Sequence, residues 1–408
     1  MIPPWLTKDI LLILSARGTV SLGYGFLNLV VAIHLTKLGY DIFTTLTIFA
    51  ASLTTSVVMI MGFTALADRF GRRRILIFLG SLMVISGLIF SFTTNLILLV
   101  IATVIGGVGA SGGTGGGPGG GPYEAVESAL LADKSSDVNR NMIFSVRASL
   151  GALLSAGGAL TAGLPAFFNF DSLQPLFLLF SVLGVIFILL MLGVKEQRRE
   201  NLGGLHFLPK KSGGVVMRLS SLAAVDGFAI GFLTVSPVTL WFVERFGVGL
   251  ESIGPFFAIQ RLIIAFSFIV VARIAKRIGS VKAIFYTQAP GAALLFLLPL
   301  MPTFEIAAAL IVTRSFIASM DNPIRQSYVM AIVNKEERAS AGGLVEGVSR
   351  GVPGGISPSI AGYAIQYIAL SVPFLIAGVT QLTGAALFYL IFRKVKPPEE
   401  KTGTRNQS

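Results

Sequence analysis

The sequence predicts an all-α membrane protein that crosses the bilayer twelve times in two halves of six spans, with both termini in the cytoplasm. Three observations carry this expectation. The 408 residues are 53% hydrophobic and only 13% charged, where a soluble domain carries about 25% charged residues. Apolar runs long enough to cross about 30 Å of hydrocarbon as helix recur along the whole chain. Basic residues gather on one side of those runs: with the termini placed inside, 24 of the 32 Lys and Arg fall in inner segments, and only Lys37 and Arg245 in outer ones. That asymmetry orients the chain. It also explains the net charge of +12 through contact with a bilayer of anionic headgroups, so nucleic acid is not required as a partner.

Span 1, 10–36, continues past signal-peptide length, and the opening MIPPWLTKDI lacks a basic start, so this helix is expected to stay in the mature protein. Spans 2 and 3, 42–67 and 75–92, flank the short polar loop LADRFGRRR. Span 4, 95–132, is 38 residues long and would make a straight helix of about 57 Å, too long for the hydrocarbon. Within it Gly106 to Gly121 holds eleven glycines, and Gly107, Gly109 and Gly112 spell G-x-G-x-x-G with Glu127 twenty residues beyond Gly107. A dinucleotide cradle needs those glycines at a strand-to-helix turn of a βαβ unit. This stretch follows the apolar run NLILLVIATVIGG, and no Gly-Lys-Ser/Thr follows. Helix 4 is expected either to unwind around Gly115 to Gly121 and line a cavity, where irregular backbone is tolerated, or to form a Gly-rich packing face before a long inner loop.

Spans 5 and 6 lie at 142–164 and 173–194. The longest polar interruption, 195–218, separates residues 1–194 from 219–393 as a cytoplasmic linker. Spans 7 to 12 follow at 219–244, 251–275, 282–300, 304–333, 340–368 and 371–392, and residues 394–408 form a cytoplasmic tail. With no cysteine, and with His34 and His206 as the only histidines, neither a disulfide nor a thiolate or histidine metal site can form. No cofactor is expected.

The halves echo each other at an offset of 208 to 209 residues. ARGTVSLGYGF at 16–26 resembles VDGFAIGFLTV at 225–235, TKLG ending at Gly39 matches ERFG ending at Gly247, and LADRFGRRR sets Gly71 against Gly279 of IAKRIGSVK. LADRFGRRR, between spans 2 and 3 of a duplicated twelve-span chain, resembles the cytoplasmic loop signature of the major facilitator superfamily, G-x-x-x-D-R-x-G-R-R. Thr64 stands at its first Gly, with Gly62 two residues earlier, and Lys276 replaces the Asp in the second half. Thr103 stands where the family has a basic residue in helix 4, while Arg314 matches its counterpart in helix 10. The resemblance implies two six-helix bundles that rock about a central site, with helices 3, 6, 9 and 12 at the lipid-facing edge and a monomer as the working unit. It casts Asp68, Arg69, Gly71 and Arg72 as a gating loop. In physical terms Asp68 can meet the positive end of a neighbouring helix and Gly71 permits a tight turn. Arg72, Arg73 and Arg74 serve equally well as headgroup anchors.

A charge inside a bilayer costs at least about 2.5 kcal/mol at a helix centre, so each asks for a partner or a function. The buried set comprises Arg17, Arg147, Arg261, Arg314, Arg325 and Arg350 with Glu124, Glu127, Asp226, Asp321 and Glu346. Spans 3, 6, 9 and 12 carry none of them, in agreement with the implied layout. Arg17 and Asp226 hold equivalent repeat positions and could meet across the cavity, or each could pair within its own half. Asp321 with Arg325, and Glu346 with Arg350, are spaced i, i+4 on one face. Glu124 and Glu127, with Asp226, are candidates for proton coupling, because neighbouring buried acids favour holding a proton. Arg261 and Arg314 could hold an anionic group or a proton-relay acid, and Arg147 could do the same or pair with helix 4.

These features point to a secondary transporter of a small-molecule substrate in the plasma membrane, driven by protons or another coupling ion, since no ATP-binding motif is present. The arginines favour an anion; scattered acids in an apolar cavity suit export of lipophilic compounds equally well. A membrane sensor on the same fold is the rival, though the tail offers only fifteen residues for output. No nucleophile and base arrangement indicates an enzyme.

Overall fold

The structure of the protein, a computed structural model, describes residues 6–108, 122–135, 139–168, 172–195, 212–333 and 341–393. In hydrocarbon every backbone amide must be satisfied within its own segment, and the apolar runs accordingly fold as helices. The first half contains α1 (Lys8–Lys37), α2 (Ile42–Phe70), α3 (Arg72–Phe92), α4 (Leu96–Ile105), α5 (Pro122–Lys134), α6 (Arg140–Thr161), the single turn α7 (Leu164–Phe167) and α8 (Gln174–Leu192). The second contains α9 (Gly213–Gly231), α10 (Val235–Phe246), α11 (Leu250–Ile278), α12 (Ser280–Leu297), α13 (Phe304–Ala318), α14 (Asp321–Ile332), a π-helical turn at Gly343–Ser349, α15 (Arg350–Tyr367) and α16 (Val372–Phe392).

Among the described residues nine helices are long and apolar enough to cross a membrane. The expected spans 4, 10 and 11 are not among the nine, and each departs from a continuous apolar helix. Span 4 is described as α4 and α5, span 10 divides at Ser319–Met320, and span 11 combines the π-helical turn with a helix containing Pro353 and Pro358. Span 7 begins at Gly213 rather than 219 and breaks between Gly231 and Val235.

Glycines at the helix ends carry the repeat into the backbone. Gly39 and Gly247, 208 residues apart, both adopt positive φ, of 89° and 66°; Gly71 and Gly279, again 208 apart, do so at 100° and 83°. A side chain at any of these four would be strained, so the pairs mark the same turns in both halves. Gly107, at φ 61°, ends α4: its N–H donates to the Val104 carbonyl and that of Val108 to the Thr103 carbonyl, the double bond of a Schellman cap. The glycine run thus begins as a helix terminator. The expected unwinding at Gly115 to Gly121 lies outside the described residues.

Polarity is inverted relative to a soluble protein. Val58, Ile97, Leu189 and Leu390 are exposed while Arg17, Glu127, Asp226 and Arg325 are buried. The charge-free spans pair at the periphery, α3 against α8 and α12 against α16, with their main packing partners in their own half. The halves meet chiefly along two seams, with α1 also touching α10. At one, α2 packs on α15: the Phe43 N–H donates to Gln366 Oε1 at 2.8 Å, and Thr47 and Ser359 share a hydrogen bond at 2.8 Å. At the other, α6 packs on α11, where Arg261 reaches into the first half.

Both seams run from mid-helix toward the side away from the termini. On the terminal side α5, α9 and α14 pack mainly against helices of their own half. The family's first glycine is not needed for the approach of α2 to α15. Glycines on α15 supply it, since a Cβ at Gly355 would fall 2.5 Å from Thr54 Oγ1 and one at Gly362 3.0 Å from the Leu46 Cβ, whereas Gly62 faces open space.

Candidate functional site

Each half holds a cluster of buried charges drawn from the same three spans. In the first half Arg17 on α1 lies between the acids of α5, with Nη1 3.4 Å from Glu127 Oε2 and Nη2 3.6 Å from Glu124 Oε1. Arg147 on α6 closes the cluster, with Nε 3.2 Å from Glu127 Oε1 and Nη2 3.4 Å from Glu124 Oε1. Glu127 is 3% exposed and Glu124 39%, so one acid is enclosed and the other reaches solvent.

In the second half Asp226 on α9 takes the place of Arg17, and the arginines come from the other two spans. Arg350 Nη2 lies 2.9 Å from Asp226 Oδ2, and Arg325 Nη2 2.9 Å from Asp321 Oδ2 and 3.9 Å from Asp226 Oδ1. Gln288 on α12 donates to both acids, to Asp226 at 3.0 Å and Asp321 at 2.6 Å. Arg350 also donates to Asn322 Oδ1 at 3.2 Å.

Local backbone makes these meetings possible. A Cβ at Gly227, beside Asp226, would stand 2.1 Å from the Arg350 carbonyl oxygen, so α9 and α15 approach too closely for a side chain there. At the equivalent repeat position Gly18, beside Arg17, faces Leu154 of α6 at 2.6 Å. The π-helical turn ends just before Arg350, and π-turns mark sites where a helix is re-aimed for function. The break at Ser319–Met320 puts Asp321 in the first turn of α14.

Arg17 and Asp226, expected as possible partners across the cavity, are not brought together here. Each is neutralised within its own half, because opposite charges from neighbouring spans lie closer. Glu124 and Glu127 have no cation near them in sequence, yet two arginines flank them in space. Asp321 and Arg325 form the expected i, i+4 pair; the side chain of Glu346 lies outside the described residues.

Arg261 and Arg314 differ from the other four arginines. Arg261 Nη1 donates to the carbonyls of Gly25 and Ser155 and to the Ser155 hydroxyl, at 3.2, 2.5 and 2.6 Å. It ties α11 to α1 and α6 through two carbonyls and a hydroxyl, with no carboxylate partner among the described residues. Arg314 on α13 is 4% exposed, and its Nη2 donates to Gln381 Oε1 at 2.8 Å. With Gln288, Asp321, Asn322, Arg350 and Gln381 it lines a small polar pocket of about 10 Å³ inside the second half, room for about one water.

The loop after α2 contacts its own half. Arg72 pairs with Asp133 at the end of α5 at 2.5 Å, donates to the Ala129 carbonyl at 2.6 Å, and meets Asp68 at 3.2 Å. Asp68 is therefore paired along its own strand of chain and half exposed, with Arg72 as its partner in place of a neighbouring helix end. Arg73 donates to the last carbonyls of α8, Met191 and Leu192, at 3.0 and 2.7 Å. Arg72 and Arg73 are thus engaged by protein, and Arg69 lies over the Phe70 ring at 5.4 Å.

Gln288, Asn322, Gln381 and Ser155 escaped a reading based on charge. Their signal was an uncharged polar residue in an apolar run, which Gln288 and Gln381 show in spans 9 and 12.

Comparison with known proteins places this geometry. The profile of the Major Facilitator Superfamily matches residues 13–320 and 289–407. The uncharacterized membrane protein YJR124C of Saccharomyces cerevisiae is 24% identical over 447 residues, covering 98% of this chain and 97% of that protein. Among solved structures, the nucleoside transporter NupG superposes with a TM-score of 0.74 at 12% identity, over 95% of this chain and all of that one. The human organic anion transporter MFSD10 (TETRAN) gives 0.63 at 13% identity, again over 95% and 100%. With the profile spanning nearly the whole sequence, the chain belongs to the Major Facilitator Superfamily of multi-pass membrane transporters.

Proposed function

We propose that the protein is a secondary active transporter that moves a small organic anion across the plasma membrane by alternating access, driven by protons. The observation that supports this reading most is the pairing of two charge clusters, one per half, behind an interface closed on one side only. A rocking transporter needs charges that are satisfied within each half, so that the halves can separate without stranding a buried ion. With the termini in the cytoplasm, as the basic asymmetry argues, the described state is closed outside and faces inward.

Glu124 and Glu127 serve as the proton site. Protonating one removes a countercharge from Arg17 and Arg147, which links proton occupancy to the packing of α1, α5 and α6. Arg314, Arg261 and the Asp321–Arg325 pair, with Arg147 opposite, define the substrate side. A pocket lined by Arg314, Arg350, Asp321, Asn322 and two glutamines, two cations to one acid, favours a polar anion over a lipophilic compound. The structural neighbours named for nucleoside and for organic anion transport are consistent with small polar solutes.

Proteoliposomes with and without an inward-acid pH gradient test the proposal. Uptake of an anionic solute that collapses when a protonophore removes the gradient is the expected result. Ligand binding without flux would support a sensor on the same fold.

A further inference from the structure

We infer that Arg261 is the anchor for a substrate carboxylate, held at the inner end of the seam between α6 and α11. This rests on the transporter reading and narrows it to one residue, one charge and one chemistry.

Of the six arginines in the spans, five have acids acting on them. Arg17 and Arg147 face Glu124 and Glu127, Arg325 and Arg350 face Asp321 and Asp226, and Arg314 has those two aspartates as countercharges. Arg261 has none among the described residues. All three of its hydrogen bonds leave from Nη1, to the Gly25 and Ser155 carbonyls and the Ser155 hydroxyl. Nε and Nη2 have no partner among the described residues, and neither is enclosed. An unbalanced guanidinium at mid-span is costly, and an arriving anion offsets that cost.

The position suits a solute path and not the lipid. Ile259, Leu262 and Phe266 are the exposed apolar side chains on this part of α11, and at 3.6 residues per turn they lie about 100–160° around the helix from Arg261. Arg261 itself is half-buried. Two turns toward the outer end, on its own face of the helix, α11 and α6 close tightly: a Cβ at Gly254 would fall 2.6 Å from the Ala159 carbonyl oxygen. Arg261 therefore stands where that seam ends.

The ligand chemistry follows from the free edge. Nε and Nη2 present two parallel N–H groups on one side of the guanidinium, the pattern that matches the two oxygens of a carboxylate. The same edge is used within this protein at Arg147, whose Nε and Nη2 meet Glu127 Oε1 and Oε2 at 3.2 and 3.4 Å. One negative charge balances Arg261. A phosphate monoester carries about −1.5 to −2 near neutral pH and would overshoot it, so a monocarboxylate fits better. Because Nη1 stays with α1 and α6, the carboxylate is held without breaking the closed seam.

The test uses the full-length protein, purified in nanodiscs, with thermal melting as the readout. The probes are benzoate and hexanoate, their carboxamides, phenyl phosphate, and uridine as a neutral polar solute. A rise in melting temperature of several degrees with either carboxylate, and none with the matched amide, is expected. Arg261→Gln should weaken that stabilisation about tenfold or more in ligand concentration, the loss of a hydrogen-bonded charge. Arg261→Lys keeps the charge without the planar fork and should weaken it to a similar degree, which decides the matter if Arg261→Gln does not fold. Ser155→Ala removes one acceptor of Nη1 and touches neither free donor, so it should lower the unliganded melting temperature and keep the carboxylate shift. Equal carboxylate stabilisation of wild type and the Arg261 variants would make Arg261 a structural tie and overturn the inference, as would stabilisation by the amides, phenyl phosphate or uridine in preference to the carboxylates. Carboxylate flux that survives unchanged in Arg261→Gln would sink this site and leave the transporter reading intact. Carboxylate binding lost in Arg261→Gln, with no flux of any solute in wild type, would leave the site standing and sink the transporter reading.

Discussion

Arg17 and Asp226 occupy matching positions in the two halves with opposite charges, and the difference governs how substitutions there combine. Because each is paired inside its own half, the stability losses of Arg17→Gln and Asp226→Asn should add to within about 0.5 kcal/mol, the behaviour of sites that share no partners. Breaking one buried pair costs about 3–5 kcal/mol when the remaining charge is stranded. Glu127→Gln, which leaves two arginines with a half-exposed acid, is expected to approach that range, and the double variant Arg17→Gln with Glu127→Gln should lose less than the two singles combined. Melting in detergent or nanodiscs checks both, and coupling between Arg17 and Asp226 would show that they meet in a populated state. At the surface, Asp41 caps α2. Hydrogen bonding from Thr44 holds its carboxyl below the ordinary 3.8, with partial burial opposing. A folded pKa below the unfolded one adds stability that is present above pH 3.8 and lost as pH falls through the folded value. Asp41→Ala should therefore cost about 1 kcal/mol at neutral pH, and its difference from wild type should vanish in acid. The sequence told which residues were charged and buried, since charges in apolar runs stand out. It could not tell who pairs with whom, because Glu124 and Arg147 sit 23 residues apart in sequence and meet only through the packing of α5 on its neighbours.

Helices were legible wherever an apolar run was continuous. α1, α2, α3 and α8 follow the predicted spans within a few residues, because hydrocarbon leaves the backbone no alternative. Periodicity does not report the breaks, but prolines do: Pro237, Pro323 and Pro353 stand four residues after Leu233, Ser319 and Ser349, at the gap between α9 and α10, the interruption before α14 and the π-turn before Arg350, and leave those carbonyls without a helical donor. All three fall in second-half spans, and two of them adjoin charges of the pocket. Close helix approach gives the element scale its own test. A Cβ at Gly158 of α6 would lie 2.1 Å from the Leu22 carbonyl oxygen, while Gly62 of α2 has nothing within 4 Å. Gly158→Ala should push α6 from α1 and cost about 1–3 kcal/mol. Gly62→Ala, in open space within a helix, should add about 0.5–1 kcal/mol of stability. Similar melting temperatures for the two variants would argue against the α1–α6 contact.

For the molecule as a whole, the duplicated plan was readable from three short echoes, and the backbone repeats them as paired positive-φ glycines. What sequence could not give is the state. Nothing in LADRFGRRR says whether the loop engages the opposite half, and here Arg72 and Arg73 are held by α5 and α8. The seams, α2 on α15 and α6 on α11, close one side, and Arg261 crosses one of them through bonds that a carbonyl can release without stranding an anion. Arg261→Gln is expected to weaken that closure, shifting the population toward the state open away from the termini, seen as faster labelling of a cysteine placed at Ser155.

The chain has no cysteine of its own, so spin labels can be placed in pairs without a background. Pulsed-EPR distances in nanodiscs should be measured for Thr47→Cys with Ser359→Cys on the closed side and for Ala132→Cys with Ile332→Cys on the terminal side, over a range of pH and with the solute panel. Halves that rock about a shared cavity predict opposite changes, with the first distance lengthening as the second shortens. Two distances that stay fixed under every condition, or lengthen together, would contradict alternating access in this protein.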